Sequence, residues 1–191
     1  MKIKKVIPST LKYLHSFKIH YLDKNGNDKV WEMVSRGNLD RVEKEMSGET
    51  ISDGTMIVAF NKAKDKLLMI KEFRPIANKY IYSFPAGLKD DGESIEETAS
   101  REFKEETGLD FTYLGYDDAR YTSVGLTNER VNTIYGYYSG NISSDYLEEA
   151  EDITAFFVDR DEAIKILETK EVSLRASFII RHFFNLPLFK S

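Results

Sequence analysis

The chain has 191 residues, 41% hydrophobic and 31% charged, with no cysteine and a formal net charge of −5. This suits one compact domain with a core and a small accessory lobe, and it excludes disulfides and thiolate metal sites. The acidic balance argues against a nucleic-acid backbone as main partner, and no apolar run is long enough to span a bilayer; the N-terminus lacks the apolar core of a signal peptide, so a cytoplasmic protein is expected.

In chain order, residues 17–22 (FKIHYL) read as a strand, DKNGN as a turn and 29–35 (KVWEMVS) as a second strand. The charged stretch 38–52 reads as a connection, which sets a small N-terminal β lobe (1–50) before a main domain (51–191). TMIVAF and KLLMIKEF then read as buried strands joined by NKAKD, and YIYSFPAG as a short strand. A helix is expected over 94–107, strands near 111–117, 133–139 and 154–158, and closing helices over 161–169 and 173–184. This order predicts an α/β or α+β sandwich. Neither a P-loop nor a Ser-His-Asp arrangement is present, and His15, His20 and His182 form no ligand set.

The chemistry concentrates in residues 85–109, PAGLKDDGESIEETASREFKEETGL. Ser94 with Glu97 fits a capping box and Gly108 a helix stop. Glu102, Glu105 and Glu106 fall three and four residues apart, so they share one broad helical face and repel one another. A hard divalent cation would relieve that repulsion. Ala99 and Phe103 form an apolar stripe beside the acids, Arg101 can hold one of them, and Gly87 lets the backbone turn sharply. A solvated acidic helix is the plain alternative.

Gly87, Glu93 and the run Arg101-Glu102-Phe103-Lys104-Glu105-Glu106-Thr107-Gly108-Leu109 match G-x5-E-x7-R-E-U-x-E-E-x-G-U, with U apolar. The segment thus resembles the Nudix box at every defined position. The resemblance implies a Nudix α/β/α sandwich with a mixed sheet, Mg²⁺ as cofactor with Mn²⁺ as the alternative, and hydrolysis of a nucleoside diphosphate linked to another group.

KEFRPIANKYIYSFPAGLKDDGE is similar to the ADP-ribose pyrophosphatase branch of that family. This resemblance implies metal ligation by the Ala86 carbonyl, Glu102 and Glu106, with Glu105 joining them. In YLEEAEDITAFFV it implies Glu151 as a further ligand and Glu149 as general base; a charged turn is the alternative. It implies that Arg74 and the Leu88 backbone contact substrate, against a surface ion pair and a packing leucine. VWEMVSR resembles a W-E-x-x-x-R pattern, implying that Trp31 stacks on adenine, Glu32 reads the base and Arg36 binds ribose or phosphate; a half-buried core tryptophan is the alternative. In that branch the N-terminal hairpin is exchanged with a second subunit, which implies a homodimer.

Ser123 in TSVGLTNE falls in a substrate-facing loop, where many relatives carry an acid near that position or a proline at the next. The departure leaves the identity of the small-molecule substrate open among ADP-ribose, other nucleoside diphosphate sugars and dinucleotide cofactors. A non-catalytic ligand-binding regulator is the rival of another class, and an acidic scaffold the third.

Overall fold

The structure, a computed structural model, describes residues 2–10, 13–149 and 151–189. Its elements are β1 (Lys2–Thr10), β2 (His15–Leu22), β3 (Asp28–Ser35), α1 (Leu39–Met46), β4 (Gly54–Phe60), β5 (Leu67–Arg74), β6 (Lys79–Ser83), β7 (Ala86–Leu88), α2 (Ile95–Thr107), β8 (Asp110–Tyr121), β9 (Arg130–Ser139), β10 (Ile153–Val158), α3 (Arg160–Thr169) and α4 (Leu174–Phe183). They form two compact units, Met1–Asp53 with Asp118–Asn132, and Gly54–Asp117 with Thr133–Ser191.

The first unit is built on the antiparallel sheet β1-β2-β3. The β2–β3 turn forms because the Asp23 carboxylate accepts the backbone N–H groups of Asn25 and Asn27, both at 2.9 Å, and Gly26 takes a φ of +84°. Two elements here depart from the sequence reading. β1 adds a third strand to the expected hairpin. Part of the expected connection is α1, which the Asn38 side chain caps by accepting Arg41 N at 3.1 Å. Only Val42 of α1 is buried, packed with Phe17, Ile19 and Met33. One buried residue among five charged ones is too weak a periodic signal to read. The segment Asp118–Asn132 closes this unit: Val34 N donates to Leu126 O at 3.0 Å, and Asp53 takes the Arg130 N–H at 2.9 Å.

The second unit carries the large sheet, ordered β10-β5-β4-β9-β8, with β6 on β5 and β7 on β4. The expected strand YIYSFPAG splits at Phe84-Pro85. Proline has no N–H for a ladder, so the chain leaves β5 there and β7 pairs with β4, Gly87 opposite Thr55. α2 starts on a complete capping box between Ser94 and Glu97 and stops at Gly108, whose φ is +73°. It packs on β4, β7 and β10. Ala99 and Phe103 of α2 are fully buried with Ile57, Ala59, Leu68, Leu109 and Ile134. That stripe clamps the helix to the sheet and leaves its acidic side at the β7 edge. Asp159 and Ser173 cap α3 and α4. The fold is the mixed α/β arrangement that the element order implies.

Candidate active site

In the second unit Arg101 is the hub of the acidic helix. Its Nε and Nη2 grip both oxygens of Glu93 at 2.8 and 2.9 Å, a bidentate pair. Nη1 donates to Glu102 at 2.8 Å and to Glu105 at 3.2 Å, and Nη2 also reaches the Leu88 carbonyl at 3.2 Å. Glu93 further accepts from the Thr98 hydroxyl and the Asp90 N–H. Hydrogen bonding from Arg101, first, holds the Glu93 carboxyl down at about 2. Glu93 is therefore an anchor that stays ionised and locks the loop after β7 to the helix.

Gly87 lies against Glu102. A Cβ there would sit 1.8 Å from the Glu102 carboxyl carbon, so only glycine leaves this carboxylate its place. Glu106, only 6% exposed, accepts the Ala86 N–H at 3.1 Å. Burial pushes its carboxyl well above the usual range, and the charges of Glu102, Glu72 and Glu151 push the same way. Glu102 is likewise raised by burial, with Arg101 opposing and Glu105 and Glu151 adding.

Four carboxylates thus feel one another: Glu72, Glu102, Glu106 and Glu151. Glu72 was not singled out in the sequence. Burial raises it too, and Arg74 counters by pairing with it at 2.7 Å. The available clue was its place two residues before Arg74, on the same face of a strand. Glu151 Oε2 accepts the Glu148 N–H at 3.1 Å, and Glu149 is exposed on the same loop.

Among the described residues, no group of three or more His, Cys, Asp or Glu side chains encloses an ion as it lies; Arg101 holds Glu102 and Glu105. The donor chemistry nevertheless fits a hard cation. All candidates are oxygen donors, and the most buried one faces three like charges, an arrangement that a divalent ion would relieve.

The residues that the sequence assigns to the base and ribose lie in the first unit. Trp31 and Glu32 are neighbours on β3 and point to opposite faces. Trp31, half exposed, lines a recess of about 340 Å³ with Ile19, Met33, Met46, Tyr121 and Asn128 among its walls. Glu32 lines another recess with Phe17 and Leu126, and lies 3.7 Å from Lys18. Arg36 pairs with Glu129 at 2.8 Å, which also accepts the Thr122 hydroxyl. Ser123 is exposed, and its carbonyl accepts Leu126 N and Thr127 N in a turn.

Residues 51–181 match the family model of the NUDIX domain. The chain is 34% identical over 124 residues to an ADP-ribose pyrophosphatase of Saccharomyces cerevisiae, covering 63% of this chain and 50% of that protein. It is 32% identical over 120 residues to one of Bacillus subtilis (62% and 65%), and 31% identical over 137 residues to an ADP-sugar pyrophosphatase of Mus musculus (69% and 60%). The chain therefore spans about half to two thirds of the length of these curated relatives. A solved structure titled as an ADP compounds hydrolase superposes with a TM-score of 0.70 at 21% identity, over 96% of this chain and 94% of that one.

Proposed function

Since the chain belongs to the Nudix family, we propose that it hydrolyses the pyrophosphate bond of ADP-ribose or a similar nucleoside diphosphate derivative with the help of a divalent cation. Water attacks one phosphorus and the bridging P–O bond breaks; ADP-ribose would give AMP and ribose 5-phosphate. The observation that carries this reading is the buried Glu106 carboxylate, facing Glu102, Glu72 and Glu151 beside the Gly87 turn. Such a charge is costly until a cation offsets it. The relatives named as ADP-ribose and ADP-sugar pyrophosphatases support the choice of substrate class.

In this reading the Ala86 carbonyl, Glu102, Glu106 and Glu151 hold Mg²⁺ or Mn²⁺, with Glu105 as an auxiliary. When bound, the cation neutralises the pyrophosphate and acidifies water. Glu149, exposed on its loop, orients the attacking water and takes its proton. Arg101 and Glu93 position Glu102 rather than touch substrate. Arg74 and the Leu88 backbone bind the phosphates or ribose, and Trp31, Glu32, Arg36 and Ser123 bind the nucleoside and terminal-ribose ends. We also propose a homodimer, which light scattering on purified protein would test.

The test is product analysis with ADP-ribose, UDP-glucose, FAD and NADH, each with Mg²⁺, Mn²⁺ or EDTA. AMP released from ADP-ribose, and abolished by EDTA, is the expected result. Turnover of UDP-glucose alone would keep the chemistry and discard the adenylate substrate. Binding without turnover of any compound would identify a regulator.

A further inference from the structure

The loop that carries Glu149 and Glu151 ends at Asp152, the residue before β10. Asp152 is fastened twice. Its carbonyl accepts the Phe73 N–H at 3.1 Å, and its Oδ2 accepts the Tyr80 hydroxyl at 2.5 Å. Phe73 on β5 and Tyr80 on β6 are cross-strand partners. Tyr80, Phe73 and Asp152 therefore form one row across the ends of three strands.

The face of the sheet on which this row lies follows from the pleat. Glu72 and Phe73 are neighbours on β5 and point to opposite faces. Leu68, on the Glu72 face, is buried with Ala99 and Phe103 of α2, so Glu72 stands on the helix side. Phe73 points the other way, and Tyr80 goes with it. Their rings meet edge to face with centroids 5.5 Å apart, and Lys71 Nζ, also on the Phe73 face, stands 4.7 Å from the Tyr80 ring. The Tyr80–Asp152 bond thus lies behind the sheet, away from Glu72.

That placement gives the bond a use at the front. The Glu151 Cα is one peptide, about 3.8 Å, from that of Asp152, and its charge is felt by Glu72, Glu102 and Glu106. Among the described residues, Glu151 itself bonds only within its loop, to the Glu148 N–H and carbonyl. Its link to the sheet therefore runs through Asp152. A single backbone bond at the end of a ladder frays easily, and the Tyr80 hydroxyl adds a second tie. It also keeps the Asp152 carboxylate at the rear, where it adds no further like charge to the acidic face.

We propose that Tyr80 is a positioning residue for the hydrolysis: by fastening Asp152 behind the sheet, it sets Glu151 to complete the divalent-cation site at the front. This inference rests on the reading of Glu151 as a cation ligand given above.

Tyr80→Phe deletes the hydroxyl and keeps the ring against Phe73 and Lys71. Mn²⁺ alone is titrated into the purified, substrate-free protein, and free Mn²⁺ is read by electron paramagnetic resonance. Binding that Glu106→Gln abolishes identifies the acidic site. Tyr80→Phe should raise the Kd of that site about tenfold, the lower end of the ~10–100-fold seen when partners that orient metal ligands are removed. Asp152→Ala should weaken it to a similar degree, and the double variant no further than either single change, because the two groups act through one bond. Unchanged Mn²⁺ affinity in Tyr80→Phe, whatever its melting temperature, would overturn the proposal. So would a double variant weakened by the product of the two single effects. The Tyr80→Phe result decides by itself if Asp152→Ala fails to fold. Equal Mn²⁺ affinity in Glu106→Gln and the unaltered protein would sink the ligand reading and this inference with it, whereas a tight site that survives Tyr80→Phe would sink this inference alone.

Discussion

Gly87→Ala should separate stability from activity. An added Cβ would lie 1.8 Å from the Glu102 carboxyl carbon and 2.0 and 2.2 Å from its oxygens. Ordinary contact starts at 3.4 Å, so the carboxylate must retreat by about 1.6 Å. The obstacle is the far end of a flexible side chain, and Gly87 is not among the residues with a positive φ. The backbone can therefore accept alanine. Losing the 2.8 Å bond from Arg101 to Glu102 should cost about 1 kcal/mol, or roughly 2–4 °C in Tm for a chain of this size. Catalysis is far less forgiving. Misplacing a reacting group by ~1 Å costs on the order of 10²-fold in rate, about 2.7 kcal/mol of barrier. Differential scanning fluorimetry and ADP-ribose hydrolysis across a Mg²⁺ titration measure both quantities. An unchanged kcat would refute the role of Glu102. A fall in Tm beyond ~10 °C would show that the β4–β7 pairing, not the carboxylate, gave way.

Three further outcomes follow from the same geometry. Arg101→Ala breaks the grip on Glu93, Glu102 and Glu105 and should cost about 2 kcal/mol, read as a lower urea midpoint at unchanged slope. In EDTA, pH should act through Glu106 and Glu93 with opposite signs. Burial raises Glu106 in the fold above its ordinary 4.5, so its contribution to stability is complete below that pH and is lost as pH rises through the raised value; Glu106→Gln should flatten this alkaline-side decline. Glu93, lowered to about 2, contributes stability above 4.5 that is lost as pH falls toward 2, and Glu93→Gln should remove that acid-side loss. Finally, the fully buried Thr55 hydroxyl has no partner among the described residues, so Thr55→Val should be neutral or stabilise by up to ~1 kcal/mol, measured by thermal melts.

What the sequence reveals here depends on how local the signal is. α2 is legible to the residue because its Ser94–Glu97 box, apolar stripe and Gly108 stop all lie within fifteen positions. Strands β2 to β5 follow from short apolar runs bounded by turns. α1 escapes because its one buried residue, Val42, answers to Phe17, Ile19 and Met33 on the two preceding strands and not to a stripe along its own helix. The same division holds at the site. Glu102, Glu105 and Glu106 announce themselves by spacing on one helix. Glu72 becomes part of the acidic cluster only when the fold brings it within electrostatic reach of Glu106 and Glu151.

The chain order of the first unit has a practical consequence for dissecting the protein. Its stability is not stored in the N-terminal fifty residues. Asp118–Asn132 supplies the partner of Val34, the acid that holds Arg36 and the N–H that caps Asp53. A fragment cut near residue 50 would leave the three-stranded sheet without that clasp. It would also leave a fifteen-residue hairpin tip in the remaining piece with its intended hydrogen bonds unmade. The two segments make one compact unit written in two places, so expression boundaries, insertion tags and chimeric grafts have to treat residues 1–53 and 118–132 as a single part.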